Sequence, residues 1–196
     1  KFKEPIDLIL SRSFNGVIKQ CTISKTTTNE YFVSILVETE HSKLEKTGKS
    51  IGIDLGLKDF VITSEGYKYK NNRYTKTYER KLKEHQQHLS RKTFGSNRYY
   101  KQKLKVANIY KKITNSRLDN LHKVSTELIK KYDVIVLEDL NVKGMVKNHK
   151  LSKHISDASW SKFVELLTYK AQWNDKEIVK IDRFFPSSKT CNCCGY

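Results

Sequence analysis

Two carboxylates stand out by where they sit. Asp54 lies in Ile51-Gly-Ile-Asp-Leu-Gly-Leu-Lys-Asp-Phe60, behind two apolar residues at alternate positions and between Gly52 and Gly56. A second apolar run, Phe60-Val-Ile62, follows a short polar turn, so the stretch reads as a β-hairpin whose first strand is buried and ends in a charge. Glu138 closes Asp133-Val-Ile-Val-Leu137, a continuous apolar run of the kind that fills a central, covered strand. A buried carboxylate is costly unless something meets its charge, and a divalent cation is the natural partner. If the two strands are parallel neighbours, the carboxylates come together, and their oxygens suit Mg²⁺ or Mn²⁺. That donor set belongs to two-metal hydrolysis of phosphodiesters. A third carboxylate is usually needed; downstream, Asp157, Asp175 and Asp182 fall on a cap, a helix end and a strand, and none fits. Taken alone, Asp54 also reads as an ordinary turn aspartate.

Cysteine supplies a second constellation. Cys191-Asn-Cys-Cys194 contains a C-x-x-C, and Cys191 and Cys194 could give half of a tetrahedral Zn²⁺ site after a turn that resembles a zinc ribbon. A redox C-x-x-C is the competing reading, although it should open a helix behind a strand. Cys193 reads as a bystander, and Cys21 stands alone; the pattern is no disulfide framework and points to a reducing compartment. His85 and His88 share a helical face without an acidic companion and read as surface residues.

The elements that must hold these groups are legible in part. Val17–Ser24 and Glu30–Glu38 read as a hairpin around the turn Lys25–Asn29, and His41–Ser50 as a linker. Periodicity predicts a helix from about Thr75 to Ser90 and a long one from about Arg98 to Lys131, broken by Phe94-Gly-Ser-Asn97. Leu104, Ala107, Leu118, Leu121, Val124 and Leu128 are expected to form the long helix's apolar stripe. Residues 142–156 read as a lysine-rich loop, after which Ser156 or Asp157 caps a helix carrying Trp160, Phe163, Leu167 and Ala171 on one side. Ile178–Ile181 reads as a last strand, ended by Phe184-Phe-Pro186.

Charge narrows the partner. Of 196 residues 38 are basic and 21 acidic, and residues 67–131 alone hold 19 Lys or Arg against four acids. Charges of nearly one sign cannot be a face of internal ion pairs, so a polyanion is expected, nucleic acid rather than membrane, with no small-molecule substrate. Lys81, Arg91, Arg98, Lys101, Lys105, Lys111, Lys112 and mid-helix Arg117 are the expected phosphate contacts. The chain starts at Lys1, has Met145 as its one methionine and stops just past the cysteines, so an internal piece of a longer protein is expected.

Together, Gly52-Ile-Asp-Leu-Gly56, Val136-Leu-Glu-Asp-Leu-Asn141 and Phe185-Pro-Ser-Ser-Lys-Thr-Cys-Asn-Cys-Cys-Gly195 resemble the TnpB (OrfB) family, with Asn141-Val-Lys-Gly-Met145 and Leu166-Leu-Thr-Tyr-Lys170 in the same order. These are transposon-encoded, RNA-guided DNA nucleases related to type V CRISPR effectors. The resemblance spans the chain and implies an α/β, RNase H-like (RuvC) mixed sheet with a long basic helical insertion. It implies the last strands of an oligonucleotide-binding β-module over residues 1–47, the RuvC-like domain over 48–186 with the insertion at 73–131, and the start of a zinc ribbon at 187–196. By the resemblance, Asp54 and Glu138 are the first two catalytic carboxylates and Cys191 and Cys194 the first zinc pair. Guide RNA and target DNA are the implied partners, and a prokaryotic cytoplasm, at the nucleoid, is the implied location. The family's third carboxylate and second Cys pair are missing from this sequence, as is the family's N-terminal region, so the chain by itself is expected to cleave poorly and bind zinc poorly. Two rivals remain at this point: a non-catalytic DNA-binding transposition accessory protein, and an actin-like ATPase, which shares a Gly-x-Asp-x-Gly hairpin but needs a second phosphate loop that the sequence lacks.

Overall fold

The computed structural model describes residues 4 and 7–182, and the chain divides into two compact units with a boundary between Ser42 and Lys43. The first unit is a hairpin of β1 (Val17–Lys25) and β2 (Tyr31–Glu38), antiparallel, with Asn29 in the left-handed region that lets the short turn close. Val33, Ile35 and Val37 are the half-buried positions of β2, and every β1 residue is exposed.

The second unit carries the carboxylates on a five-stranded mixed sheet. β3 (Ser50–Leu55), β4 (Asp59–Thr63) and β5 (Lys68–Lys70) form an antiparallel meander. Then α1 (Tyr74–Ser90) and α2 (Asn97–Lys131) run out and back as a helical hairpin, returning the chain to β6 (Val134–Glu138), which lies parallel to β3. Next come α3 (Val142–Met145), α4 (Ser152–Ala158), α5 (Trp160–Trp173) and β7 (Glu177–Ile181), parallel to β6. The strand order is β5-β4-β3-β6-β7.

Alternation along the strands decides which face of this sheet is dry. Ile51, Ile53, Leu55, Val61, Ile135 and Leu137 are buried against Leu121, Val124 and Leu128 of α2, Ile155 of α4, and Phe163 and Leu167 of α5. Phe60 meets Phe163 edge-on, with ring centroids 4.9 Å apart. The intervening residues Ser50, Gly52 and Asp54, with Val134, Val136 and Glu138, point the other way, and none of them is buried.

Several expectations need correction. The outer half of α2 buries Val106, Ile109 and Ile113 rather than Leu104 and Ala107, because it packs on α1 and not on the sheet. Residues 142–156 hold α3 and most of α4 instead of a loop; Asn141 starts α3 by accepting from Gly144 N–H at 3.0 Å. The short strand β5 gave no signal in the sequence. The linker segment is tied down: Leu44 N–H donates to Asn174 Oδ1 (3.1 Å), and Thr47 and Gly48 N–H donate to Asp133 Oδ2 (2.7 and 2.6 Å).

The C-terminal end of α2 is closed by a lysine from elsewhere in the chain. Lys176, with its side chain 1% exposed, donates to the Ile129 carbonyl (2.6 Å) and the Tyr132 carbonyl (3.2 Å) and pairs with Asp133 at 3.1 Å. Helix-end carbonyls have no partner within the helix, and a cation there also answers the helix dipole.

Candidate functional site

The pairing of β3 with β6 runs from Ser50↔Val134 to Ile53↔Leu137. One step further along the same register are Asp54 and Glu138, side by side at the ends of two hydrogen-bonded parallel strands and on one face. The neighbouring residues are apolar: Ile62 pairs with Asp54, and Ile181 with Glu138.

Asp54 is exposed, not buried, so the cost of burial cannot be what demands a partner for it. The alternation that buries Ile53 and Leu55 necessarily turns the residue between them outward. A solvated carboxylate pays no large desolvation cost, so what argues for a cation is the like-charged neighbour in register. Within the described residues the Asp54 carboxylate has no hydrogen-bond or ion-pair partner. Glu138 is half-buried and engaged in contacts of its own. Next to Glu138, Asp139 N–H donates to the Ile181 carbonyl (3.0 Å), holding the strand ends together. A cavity of about 200 Å³ borders Glu138 and Asp139 and is floored by Leu55, Leu137 and Trp160.

Among the described residues no three His, Cys, Asp or Glu come together as a metal-binding set. Two carboxylates in register nevertheless fit Mg²⁺ or Mn²⁺, which commonly take one or two carboxylates and complete their shell with water and phosphate oxygens. Cys191 and Cys194, the expected Zn²⁺ ligands, lie outside the described residues.

The expected phosphate contacts lie on the helical hairpin. Lys81 and Arg91 on α1 and just past it, and Arg98, Lys101, Lys105 and Lys112 on α2, are exposed, while Lys111 is half-buried and takes part in contacts of its own. Thus α1, without one buried residue, and α2 present a long cationic surface. Ser96 caps α2 by accepting from Tyr99 N–H at 3.1 Å, and Gln102 locks the pair by donating to the His85 carbonyl at 3.0 Å.

Arg117 does something else. Its guanidinium donates to Asp157 Oδ1 (2.6 Å) and Thr75 Oγ1 (3.1 Å), and the side chains of Arg117 and Asp157 are 22% and 8% exposed. Asp157 in turn accepts from Thr75 N–H (3.2 Å) and Thr75 Oγ1 (2.6 Å). The phosphate role expected of Arg117 is therefore replaced by an internal clamp. Asp157 does cap a helix, but it is α1 and not the following α5, whose own N-cap, Ser159, makes no side-chain capping bond. No sequence signal joins residues 75, 117 and 157. Lys176, and Lys170, which donates to Ser125 Oγ and Thr126 Oγ1 (both 2.7 Å), were equally invisible. Burial holds the Lys170 ammonium below the usual lysine range.

With this geometry in view, residues 34–149 match a family model described as "Probable transposase" (OrfB of the IS605 type). The chain belongs to that family. Residues 160–196 match a second model, "Cas12f1-like, TNB domain". The chain is 38% identical over its whole length to a "Putative RNA-guided DNA endonuclease" of Streptomyces pristinaespiralis, of which it covers 49%. It is 30% identical, over 95% of its length, to the "Putative RNA-guided DNA endonuclease InsQ" of Escherichia coli, of which it covers 50%. The OrfB chain thus spans about half the length of these curated relatives. Its fold is similar to a chain in a cryo-EM structure of a Cas12f1-sgRNA-target DNA complex, with a TM-score of 0.50 at 14% identity over 89% of this chain and 44% of that one. No helix among the described residues is long and apolar enough to cross a membrane.

Proposed function

We propose that this OrfB-family chain is the nuclease portion of an RNA-guided DNA endonuclease, with a RuvC-type, RNase H-like sheet at its centre. The observation that carries the reading is the register of β3 on β6, which runs on to set Asp54 beside Glu138. The order β5-β4-β3-β6-β7, an antiparallel meander joined to a parallel pair, supports the fold assignment. Asp54 and Glu138 would hold Mg²⁺ or Mn²⁺, which supplies an activated water and charge stabilisation at the scissile phosphate. The chain's own contribution is to fix the two carboxylates on a rigid sheet and to hold the polyanion. Main-chain pairing on both sides of β3 and β6 leaves their end positions little freedom. The cations of α1 and α2 would grip guide RNA and target DNA through phosphate contacts that carry no sequence information. Cys191 and Cys194 would give two thiolates to a Zn²⁺ site, a reading supported by their spacing.

The test is plasmid cleavage by the gene-length protein with its guide RNA and Mg²⁺. Asp54→Ala and Glu138→Ala should each abolish cleavage and leave RNA binding intact, and residues 1–196 alone should bind RNA without cutting. A gene-length protein that binds guide RNA and target but never cuts would favour the accessory-protein reading.

A further inference from the structure

A second basic surface lies apart from the exposed flanks of the helical hairpin, where the β3–β4 turn, the end of β5 and the start of α1 converge. They enclose an open cleft of about 540 Å³ lined by Lys58, Lys70, Arg73 and Lys76, with Asn71 and Asn72 between them. All four cations are exposed, and among the described residues none of them forms a salt bridge. The one acid on the lining is Asp59, which is half-buried and paired across the strands with Lys70.

The cleft is built, not a chance crowding of side chains. Arg73 stands in the left-handed region (φ 46°, ψ 53°), a conformation that non-glycine residues adopt only when their surroundings impose it. Asn71 imposes it here: its Oδ1 accepts from Arg73 N–H at 3.2 Å, and its Nδ2 donates to the Leu57 carbonyl at 3.0 Å. The Arg73 guanidinium reaches the same carbonyl at 3.5 Å. These bonds tie the β5–α1 turn to the β3–β4 turn, so that Arg73 and Lys76 share one opening with Lys58. Behind this wall, Asp157 holds the first turn of α1 through Thr75.

We infer that this cleft seats the sugar–phosphate backbone of a nucleic-acid strand flanking the Asp54/Glu138 centre. The inference rests on the nuclease reading for its direction and on the cleft itself for its chemistry. Lys58 is four residues past Asp54 on the same hairpin, at most about 13 Å along the chain. A strand with one phosphate at the carboxylate pair therefore has its next few phosphates within reach of the cleft. Four cations around one open mouth, with two amide side chains between them, suit a run of phosphates. A small anion would need an enclosed site with fewer charges.

The experiment measures binding of a fluorescein-labelled oligothymidine to residues 1–196 by anisotropy, across a salt titration. Each phosphate contact to a single strand contributes about 0.7 to the slope of log K against log salt, so replacing Lys58, Lys70, Arg73 and Lys76 together by Ala should make it shallower by about 3. A control with Lys143, Lys147 and Lys150, exposed lysines outside α1 and α2, replaced by Ala should lose no more than about 1. If the Arg73 change unfolds the turn, as circular dichroism would reveal, the triple variant K58A/K70A/K76A should still lose about 2. In wild type, 4-thiothymidine photo-cross-links should map to the peptides spanning residues 56–77. A cleft variant that loses no more than the control, or cross-links that avoid those peptides, overturns the inference. If the gene-length wild type never cleaves while the cleft variant still loses its slope, the nuclease reading fails and the cleft inference stands.

Discussion

The clamp of Asp157, Thr75 and Arg117 makes a quantitative prediction, because one carboxylate serves two elements. Replacing Asp157 with Ala removes the side-chain acceptor of Thr75 N–H at the start of α1 and leaves the half-buried guanidinium of Arg117 without its counter-ion. Arg117 already has a buried, unpartnered Nε, so little spare hydrogen bonding exists to absorb the loss. Losing an N-cap costs about 1 kcal/mol. Stranding a largely buried ion-pair partner costs about 3–5 kcal/mol when both groups are fully enclosed. Arg117 retains 22% exposure, which lets water recover part of that, so the expected total for Asp157→Ala is about 3 kcal/mol.

At this chain length each kcal/mol lowers the melting temperature by about 2–4 °C, so a drop of about 6–12 °C should appear in thermal circular dichroism. Asp157→Asn, which keeps an acceptor for Thr75 N–H but loses the charge, should cost about half as much. Arg117→Met should couple to Asp157→Ala, with an interaction energy of about 1–3 kcal/mol in a double-mutant cycle. A loss below about 1 kcal/mol for Asp157→Ala, or additive effects in the cycle, would refute the reasoning.

Further outcomes follow from single contacts. Lys176→Met should cost about 2–4 kcal/mol in urea melts, because the Ile129 and Tyr132 carbonyls at the end of α2 lose a buried donor. Gly56→Ala should destabilise by about 1–3 kcal/mol in the same assay, since a Cβ there would lie 2.7 Å from the Asp59 carbonyl oxygen inside the hairpin turn. Burial pushes the Asp133 carboxyl up, but N–H groups of Gly48 and Thr47 and the Lys176 ammonium outweigh it and hold it below the usual range. Its stabilisation is therefore complete above the unfolded value, about 3.9, and is lost as pH falls through the lower folded value. Asp133→Asn should flatten that acid limb of a stability–pH profile, and an unchanged limb would contradict the assignment.

Strands and long helices were legible in the sequence wherever one period dominated. β2, β3, β6 and β7 and both arms of the helical hairpin sit within a few residues of where alternation or heptad spacing puts them. The carboxylate pair was legible because both residues end apolar runs. What failed was the inference of burial at Asp54, since the residue after a buried strand position faces outward by alternation. Periodicity was also blind wherever a contact joined residues distant in the chain. The register of an apolar stripe on α2 depends on which neighbour each turn meets: α1 for Val106 and Ile109, the sheet for Leu121 and Leu128. Lys176 looked like one more cation among 38, and mid-helix Arg117 like a phosphate contact. Only the fold shows that each is spent on the protein itself rather than on a phosphate.

The same distinction explains how the sheet can hold two like charges together. A one-residue slip of β6 on β3 would turn Ile135 and Leu137 out of the core, so burial alone forbids it. A two-residue slip would keep the faces correct while moving Glu138 about 7 Å from Asp54, and burial cannot forbid that. Asp133 supplies what burial lacks. It stands at the head of β6, where its N–H donates to the Lys49 carbonyl (2.8 Å) and its Oδ2 takes the N–H groups of Thr47 and Gly48 just before β3. Its other oxygen pairs with Lys176 ahead of β7. One carboxylate at the N-terminal end of the parallel strands thus fixes the alignment that carries two others to the opposite end. The residues that set the site's geometry are in this way separate from those that would do its chemistry. Asp133 variants should accordingly lower stability first, and affect cleavage only through the spacing of Asp54 and Glu138.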